Sequence, residues 1–129
     1  MYGQQMKIIV GHQQLMPYLT LQNAGEFIEF ARKIFNAQEM LRTLNTKKEI
    51  QHSEIKIGES TIMLAEVGDF NNTTPGAMYV YVKDTDKTYF DAIDAGAISL
   101  MEPIDEGHGL RSAGFLDPFG NTWWIATLG

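Results

Sequence analysis

Hydrophobic and polar residues alternate in several short segments of this chain, a pattern that predicts β-strands. Two of these segments, residues 17–23 and 78–84, are alike and lie 61 positions apart. Each is followed by apolar residues at the three- and four-residue spacing of a helix face. The first apolar stripe consists of Phe27, Phe30, Ala31, Ile34 and Phe35, and the second of Tyr89, Phe90, Ile93 and Ala97. The chain is therefore predicted to contain an internal repeat.

Each half of the repeat is predicted to fold as a strand, a helix and three further strands. In the first half we expect strands at about 14–22, 38–46, 49–57 and 60–67, with a helix at 24–36. In the second half we expect strands at 77–83, 98–104, 110–116 and 122–127, with a helix at 85–96. The prediction is an α+β fold of two βαβββ modules within a single domain over 1–129, with module 1 at about 13–68, a linker at 69–76 and module 2 at about 77–128.

The helix ends carry capping signals. Asn23 precedes the first helix and Glu26 follows three residues later, which is the spacing of a capping box. Asn36 tolerates the left-handed conformation that commonly ends a helix. The second helix should begin at residues 84–85, where an aspartate provides an N-cap.

A helix covers only one face of the sheet in its module, and we call the other face the open face. Side chains alternate along a strand, so each strand contributes one set to each face. The set assigned to the open faces mixes aromatic, sulfur-containing and charged side chains: Met16, Tyr18, His52, Glu54, Met63, Tyr79, Tyr81, Arg111, Phe115 and Trp124. Arg111 and Phe115 are placed by aligning Arg111-Ser112 with His52-Ser53. A one-residue error in any strand would move its residues to the other face, and the internal repeat provides a check on each assignment.

This much apolar surface on an open face predicts either a small-molecule cavity or an interface with another subunit. In the first case we expect the ten side chains to form the ligand-binding site. In the second case subunit packing fills the face, and no ligand binds there.

Composition narrows the range of partners. The chain has 129 residues, no cysteine and a formal net charge of −6. The absence of cysteine excludes thiolate catalysis, thiolate metal sites and disulfides, and the acidic balance argues against nucleic acid or an anionic membrane as partner. Residues 1–10 contain one positive charge and an apolar run of only three, which is too short for a signal peptide. We therefore expect a cytoplasmic protein whose partners are a small molecule or a second copy of itself.

Four segments resemble a known family. They are Pro17-Tyr18-Leu19, Ile28-Glu29-Phe30, residues 52–58 and, most specifically, residues 117–127 (DPFGNTWWIAT). Together with the repeat they resemble the PhnB-like, or 3-demethylubiquinone-methyltransferase-like, branch of the vicinal oxygen chelate superfamily. That superfamily includes glyoxalase I, extradiol dioxygenases and bleomycin- and fosfomycin-resistance proteins. The resemblance implies a cup-shaped mixed sheet with one helix per module on its outer face, commonly paired across a homodimer.

Many members of this superfamily hold a divalent metal in the cup. In the glyoxalase I pattern the ligands are histidine or glutamate, one each from the first and fourth strands of both modules. The pattern falls on Met16, Met63, Ala77 and Trp124, and a one-residue slip in the fourth strand would substitute Leu64. None of these side chains is an imidazole or a carboxylate, which such metals require. We therefore expect no cofactor of the family type.

His52, Glu54 and Arg111 are the candidate catalytic residues. They suit an acid–base pair beside an anion clamp, or alternatively a structural Glu54–Arg111 ion pair with a locally bonded His52. His12 precedes the first strand and is expected to be a surface residue, and His108 is expected on a loop, either gating the cup or solvated.

Two functions remain open at this point. One is a small-molecule-binding protein that holds an aromatic or carboxylated ligand in an apolar cup without a metal. The other is a lyase- or dioxygenase-like enzyme with a relocated site at His52, Glu54 and Arg111. Trp124 would stack on a planar ligand in the first case, or would simply plug the position of the lost metal.

Overall fold

The predicted order of elements is present in the computed structural model, which describes residues 6–129. Module 1 comprises β1 (Tyr18–Leu21), α1 (Ala24–Phe35), β2 (Gln38–Leu44), β3 (Ile50–Ile57) and β4 (Ser60–Glu66). Module 2 comprises β5 (Ala77–Tyr81), α2 (Thr85–Asp94), β6 (Ile98–Gly107), β7 (Leu110–Leu116) and β8 (Thr122–Leu128). The α+β prediction of two βαβββ modules is confirmed. Residues 1–5, part of the segment used to predict the compartment, lie outside the described residues.

Each module contributes one four-stranded mixed sheet. Sheet A has the strand order β1-β4-β3-β2, and sheet B has the order β5-β8-β7-β6. The first strand of each module runs parallel to the fourth, and the other neighbours are antiparallel. Neither helix within residues 6–129 is long and apolar enough to cross a membrane.

Helix α1 packs against both sheets. It contacts β3 and β4 of sheet A, and its Phe35 ring lies 4.5 Å from the Trp123 ring and 6.3 Å from the Phe115 ring of sheet B. The helix-covered sides of the two sheets therefore share one apolar core. Because both helix-covered sides border this core, the two open faces point away from it and do not face each other within one chain.

The start of α1 is capped differently from the prediction. Asn23 adopts a left-handed conformation with φ 62°, and its side chain makes no capping hydrogen bond. The Glu66 carboxylate, at the end of β4, accepts hydrogen bonds from the Ala24 and Asn23 backbone N–H groups instead. The predicted capping box is therefore wrong, because a carboxylate distant in the sequence satisfies the first donors of α1. Asn36 is left-handed as predicted.

The Asp117 carboxylate organises the turn between β7 and β8. One oxygen accepts from the backbone N–H groups of Phe119 and Asn121, and the other accepts from Asn121 Nδ2 and Trp123 Nε1, all at 2.8–2.9 Å. Asn121 Oδ1 in turn accepts from the Gly76 N–H at the start of β5. Asp117 and Asn121, in the most specific sequence motif, therefore have a structural role, because their side-chain hydrogen bonds hold the turn and the start of β5 in place.

Replacing Asp117 with Ala should lower the free energy of unfolding by at least about 3 kcal/mol, because four N–H donors, three of them buried, lose their acceptor. Chemical denaturation measures this change. The matched control is Asp69→Ala, since Asp69 is an exposed carboxylate that accepts from the Asn71 backbone N–H and from Asn72 Nδ2 in the linker. That loss should cost about 1 kcal/mol. Equal losses in the two variants would contradict the role assigned to Asp117.

Candidate functional site

The open faces carry most of the side chains predicted for them. In β1, Leu19 and Leu21 are buried while Tyr18 between them is half exposed. The same alternation appears in β3, β4, β5 and β8. It places the following residues on the open faces: Tyr18, His52, Glu54, Met63, Tyr79, Tyr81 and Trp124. Met16 lies before β1 and is partly buried. Ligand binding by these residues stays a prediction.

Strand β7 has the opposite orientation from the predicted one. The register of β7 on β8 pairs Phe115 with Trp123, which puts Phe115 under the helices, where it is fully buried. Ser53 pairs with Leu64 in module 1, and Ala113 pairs with Ile125 in module 2. The residue equivalent to Ser53 is therefore Ala113. The alignment on the shared serine was wrong by one residue, and that slip exchanged the faces of β7.

Arg111 accordingly lies on the helix-covered side of sheet B. Its guanidinium donates to both carboxylate oxygens of Asp86 at 2.6 and 3.1 Å, and to Asp105 at 3.1 Å. The hydrogen bond from Arg111 lowers the pKa of Asp86 below its usual range. Both predicted roles of Arg111, as an anion clamp and as the ion-pair partner of Glu54, are wrong because the two residues lie on different faces of different sheets.

A hydrogen-bonded group on the open face of sheet A joins Tyr18, His52, Glu54 and His12, and we call it the His–Glu network. Nε2 of His12 lies 2.7 Å from Oε1 of Glu54, and Nε2 of His52 lies 2.9 Å from Oε2. The Tyr18 hydroxyl lies 3.4 Å from Nδ1 of His52. The side chains of His12, Glu54 and His52 are 10%, 13% and 23% exposed. The prediction that His12 is an ordinary surface residue is wrong.

His12 reaches this network because the preceding segment is tied to β4. The Gln13 amide donates to the Thr61 carbonyl at 2.9 Å and accepts from the Thr61 N–H at 3.3 Å. The Thr61 hydroxyl donates to the Gly11 carbonyl. These bonds hold residues 11–13 beside the start of β4 and direct His12 over Glu54. A glutamine amide pairing with a backbone 48 residues away leaves no local signal in the sequence.

The network favours the ionised form of the Glu54 carboxyl. Hydrogen bonds from His52 and then His12 lower the pKa of Glu54, and partial burial opposes them without reversing the effect. A small cavity of about 80 Å³ adjoins His12 and Glu54 and is lined further by Val10, Met40 and Lys56.

The open face of sheet B carries an aromatic platform, formed by Tyr79, Tyr81 and Trp124. The Trp124 indole lies against the backbone of Gly114, so closely that a Cβ at that position would clash with the ring. Tyr79 lies beside Trp124 in the β5–β8 register, and its ring is 5.5 Å from the Tyr81 ring. All three residues remain accessible: Tyr79 is 55% exposed, Tyr81 68% and Trp124 36%.

The two modules use equivalent positions differently. Glu54 pairs with Met63 on sheet A, and Gly114 pairs with Trp124 on sheet B. Module 1 therefore has the carboxylate of Glu54 where module 2 has Gly114, against which the Trp124 indole packs. By the same register Ser112 is the equivalent of His52.

Known proteins with this arrangement of modules were found by structure comparison. The chain superposes on the PhnB protein of Bacillus cereus with a TM-score of 0.75 and 14% identity, covering 89% of this chain and 99% of that one. TioX from Micromonospora sp. ML1 gives 0.73 and 20%, covering 91% and 99%. A glyoxalase/bleomycin resistance protein/dioxygenase family enzyme from Burkholderia phytofirmans PsJN gives 0.67 and 19%, covering 87% and 95%.

The chain has the vicinal oxygen chelate fold. No family model matches its sequence. Uncharacterized proteins of Mycobacterium tuberculosis and Mycobacterium bovis are 29% identical to it over 120 residues, which covers 84% of this chain and 71% and 79% of those proteins.

The metal positions associated with the vicinal oxygen chelate fold do not suit a divalent metal here. Met63 and Trp124 face the open side of their sheets and supply a thioether and an indole, while Met16 and Ala77 supply a thioether and a methyl group. Zn, Ni, Mn and Fe sites need imidazole or carboxylate donors. Within residues 6–129 no group of three His, Cys, Asp or Glu residues could hold a metal ion. In the His–Glu network, Nε2 of His12 and Nε2 of His52 are hydrogen-bonded to opposite oxygens of the Glu54 carboxylate.

A cleft between the modules was not predicted from the sequence. The cleft has a volume of about 780 Å³ and lies between the end of α1, the β3–β4 turn, β5 and α2. Its lining residues include Lys33, Lys83 and Asp91. It adjoins the edge of the aromatic platform, since Tyr79 and Tyr81 also line it.

The side-chain carboxyl of Glu54 should titrate below pH 4.5, the ordinary value for glutamate. A ¹³C NMR titration measures this pKa, which should move towards 4.5 in a His12→Ala/His52→Ala double variant. Since the folded-state pKa is lowered, the network stabilises the fold above about pH 4.5 and loses that contribution as the pH falls through the lowered pKa. An unperturbed Glu54, or one insensitive to both histidines, would contradict this electrostatic description.

Proposed function

We propose that this protein binds a small, planar aromatic molecule on the platform of Tyr79, Tyr81 and Trp124. The observation that carries the proposal is the close contact of the Trp124 indole with Gly114, while 36% of the tryptophan remains exposed. An exposed ring fixed by such a contact is suited to offset stacking and loses little freedom when a ligand binds. The glycine at 114 is a requirement of this geometry, because any larger residue would lift the ring.

The chemistry of the platform favours an uncharged aromatic ligand over a carboxylated one. Arg111 was the reason to expect a carboxylate, and its donors are occupied by Asp86 and Asp105 on the other side of sheet B. The platform residues are two phenols and an indole, which stack on rings and donate single hydrogen bonds.

We also propose that the protein forms a homodimer that covers the open faces. Large apolar side chains remain exposed on both, including Leu41 on sheet A and Ile104 on sheet B. The two faces point away from the shared core, so one chain cannot cover either face with the other. A second copy placing its sheet A over sheet B of the first would bring a His–Glu network and an aromatic platform to one cavity.

The alternative is a relocated enzyme site at His52, Glu54 and Arg111. Arg111 is not available to such a site, because it is bound to Asp86 and Asp105 on the helix-covered side of sheet B. Lyase- or dioxygenase-like chemistry built on that trio is not supported, since Arg111 is remote from the other two. The remaining pair belongs to the His–Glu network, whose chemistry is that of proton transfer.

The aromatic platform should bind 2-naphthol, which is planar, neutral and bicyclic, as measured by isothermal titration calorimetry. Trp124→Leu should weaken binding about tenfold or more, in keeping with roughly 1–3 kcal/mol per stacked ring. Gly114→Ala should weaken it similarly, because the new methyl group displaces the indole. Decahydro-2-naphthol, which is of similar size without a π face, should bind more weakly than 2-naphthol.

Phe90→Leu is the matched control for these variants, because Phe90 is an exposed aromatic residue on α2 and not on an open face. It should leave the affinity unchanged. Absence of binding by the wild type, or equal affinity of wild type and Trp124→Leu, would overturn the proposed function.

The homodimer should be visible in sedimentation equilibrium at micromolar concentration. Ile104→Glu introduces a charge on the open face of sheet B and should shift the protein towards the monomer, since a buried unpaired charge is costly. Phe90→Glu introduces the same charge elsewhere and should leave the dimer intact. A wild type that is monomeric throughout, or equal behaviour of the two variants, would contradict the dimer while leaving ligand binding to its own test.

A further inference from the structure

We propose that the His–Glu network is a general acid–base site that moves a proton between the Tyr18 hydroxyl and the carbon next to the carbonyl group of a small neutral ketone. This activity goes beyond binding on the aromatic platform. It depends on His12, Tyr18, His52 and Glu54, none of which belongs to the platform.

The carboxylate of Glu54 determines the tautomer of both imidazoles. Nε2 of His52 and Nε2 of His12 each lie within 2.9 Å of a Glu54 oxygen, so each carries a proton and donates it. When the His52 imidazole is neutral, its Nδ1 then carries no proton and can accept from the Tyr18 hydroxyl 3.4 Å away. A carboxylate, an imidazole and a hydroxyl linked in this order form the arrangement by which hydrolases activate a hydroxyl group.

Access to the network is through Tyr18. The imidazoles and the carboxylate are largely buried, whereas Tyr18 is 50% exposed on the open face. Its hydroxyl is therefore the group that meets a substrate. The 3.4 Å separation from Nδ1 is longer than a strong hydrogen bond, as is common for catalytic contacts before a substrate binds.

Comparison of the two modules indicates that the fold does not need this network. Tyr79 occupies the position of Tyr18 in module 2, but Ser112 and Gly114 stand where module 1 has His52 and Glu54. The same βαβββ backbone thus forms with a small polar residue and a glycine at these positions. Placing a carboxylate and two imidazoles there has a cost in desolvation free energy. A role of the network in proton transfer explains why that cost is tolerated.

The proton-transfer step is balanced without any other reactant. The C–H bond next to the carbonyl breaks, its proton goes to the Tyr18 oxygen, and its electron pair forms the C=C bond of the enolate. Tyr18 passes its own proton to Nδ1 of His52, and Glu54 stabilises the imidazolium. In D₂O the half-exposed Tyr18 hydroxyl exchanges its proton with solvent, and the reverse transfer then regenerates the ketone with a deuteron on the carbon. Met63, beside Tyr18 in the β1–β4 register, offers an apolar surface to a neutral substrate.

His12 is a positioning residue in this scheme. It binds the second oxygen of Glu54 and so fixes the carboxylate against His52. A side chain that donates one hydrogen bond from a similar place should replace it in part, whereas an apolar side chain should not.

The test follows exchange of the ring CH₂ protons of 2-indanone in D₂O by ¹H NMR, using the full chain. The wild type should exceed the buffer rate by at least about 100-fold, the usual contribution of a positioned acid–base group. Tyr18→Phe and His52→Gln should fall to the buffer rate. His12→Leu should lose much of the acceleration, and His12→Asn should recover part of it. His108→Asn, which changes a histidine on the β6–β7 turn, should match the wild type.

A wild type no faster than buffer, or a Tyr18→Phe variant as fast as the wild type, would overturn the proposal. Tyr18→Phe removes one hydroxyl from a half-exposed residue, and circular dichroism checks that it folds. A second measurement needs no substrate: long-range ¹H–¹⁵N NMR should show His52 protonated at Nε2, with this preference lost in Glu54→Gln. Protonation of His52 at Nδ1 would also overturn the proposal.

Discussion

The buried carboxylate of Asp117 fixes the turn between β7 and β8, and the composition of the open face of sheet B depends on that turn. By accepting from Trp123 Nε1 it holds Trp123 on the helix-covered side. Trp124 must then point to the open face, since neighbouring side chains on a strand alternate. Through Asn121 the same turn binds the start of β5, which brings Tyr79 beside Trp124. A structural interaction therefore determines where the aromatic platform lies.

The duplicated modules show how one backbone supports two kinds of surface. On sheet A the central position of the third strand is Glu54, which gathers two imidazoles and a phenol around a charge. On sheet B the equivalent position is Gly114, which lets an indole lie on the backbone. The first arrangement suits proton transfer and the second suits stacking. Trp124 stands at one of the metal positions of the fold and serves the second arrangement as a stacking surface. Because the residues at those positions lack suitable metal donors, the function proposed depends on the open faces themselves.

The order of elements and most of the face assignments could be predicted from the sequence, because apolar residues alternate strongly in β1, β4, β5 and β8. Strand β7 could not be placed, because its open-face residues Ser112 and Gly114 are small and a shared serine suggested the wrong alignment. His12 was missed for a different reason. It lies outside every periodic segment, and its position depends on Gln13 binding a backbone far away in the sequence.

The chemical shifts of the Gly114 Hα protons test the register of sheet B most directly. An indole packed this closely against the glycine must displace them by its ring current, so we expect at least one Hα resonance far from its usual position. The displacement should disappear in Trp124→Leu. Resonances at ordinary positions in the wild type would contradict the register of β7 on β8, and with it the account of both the aromatic platform and the difference between the two open faces.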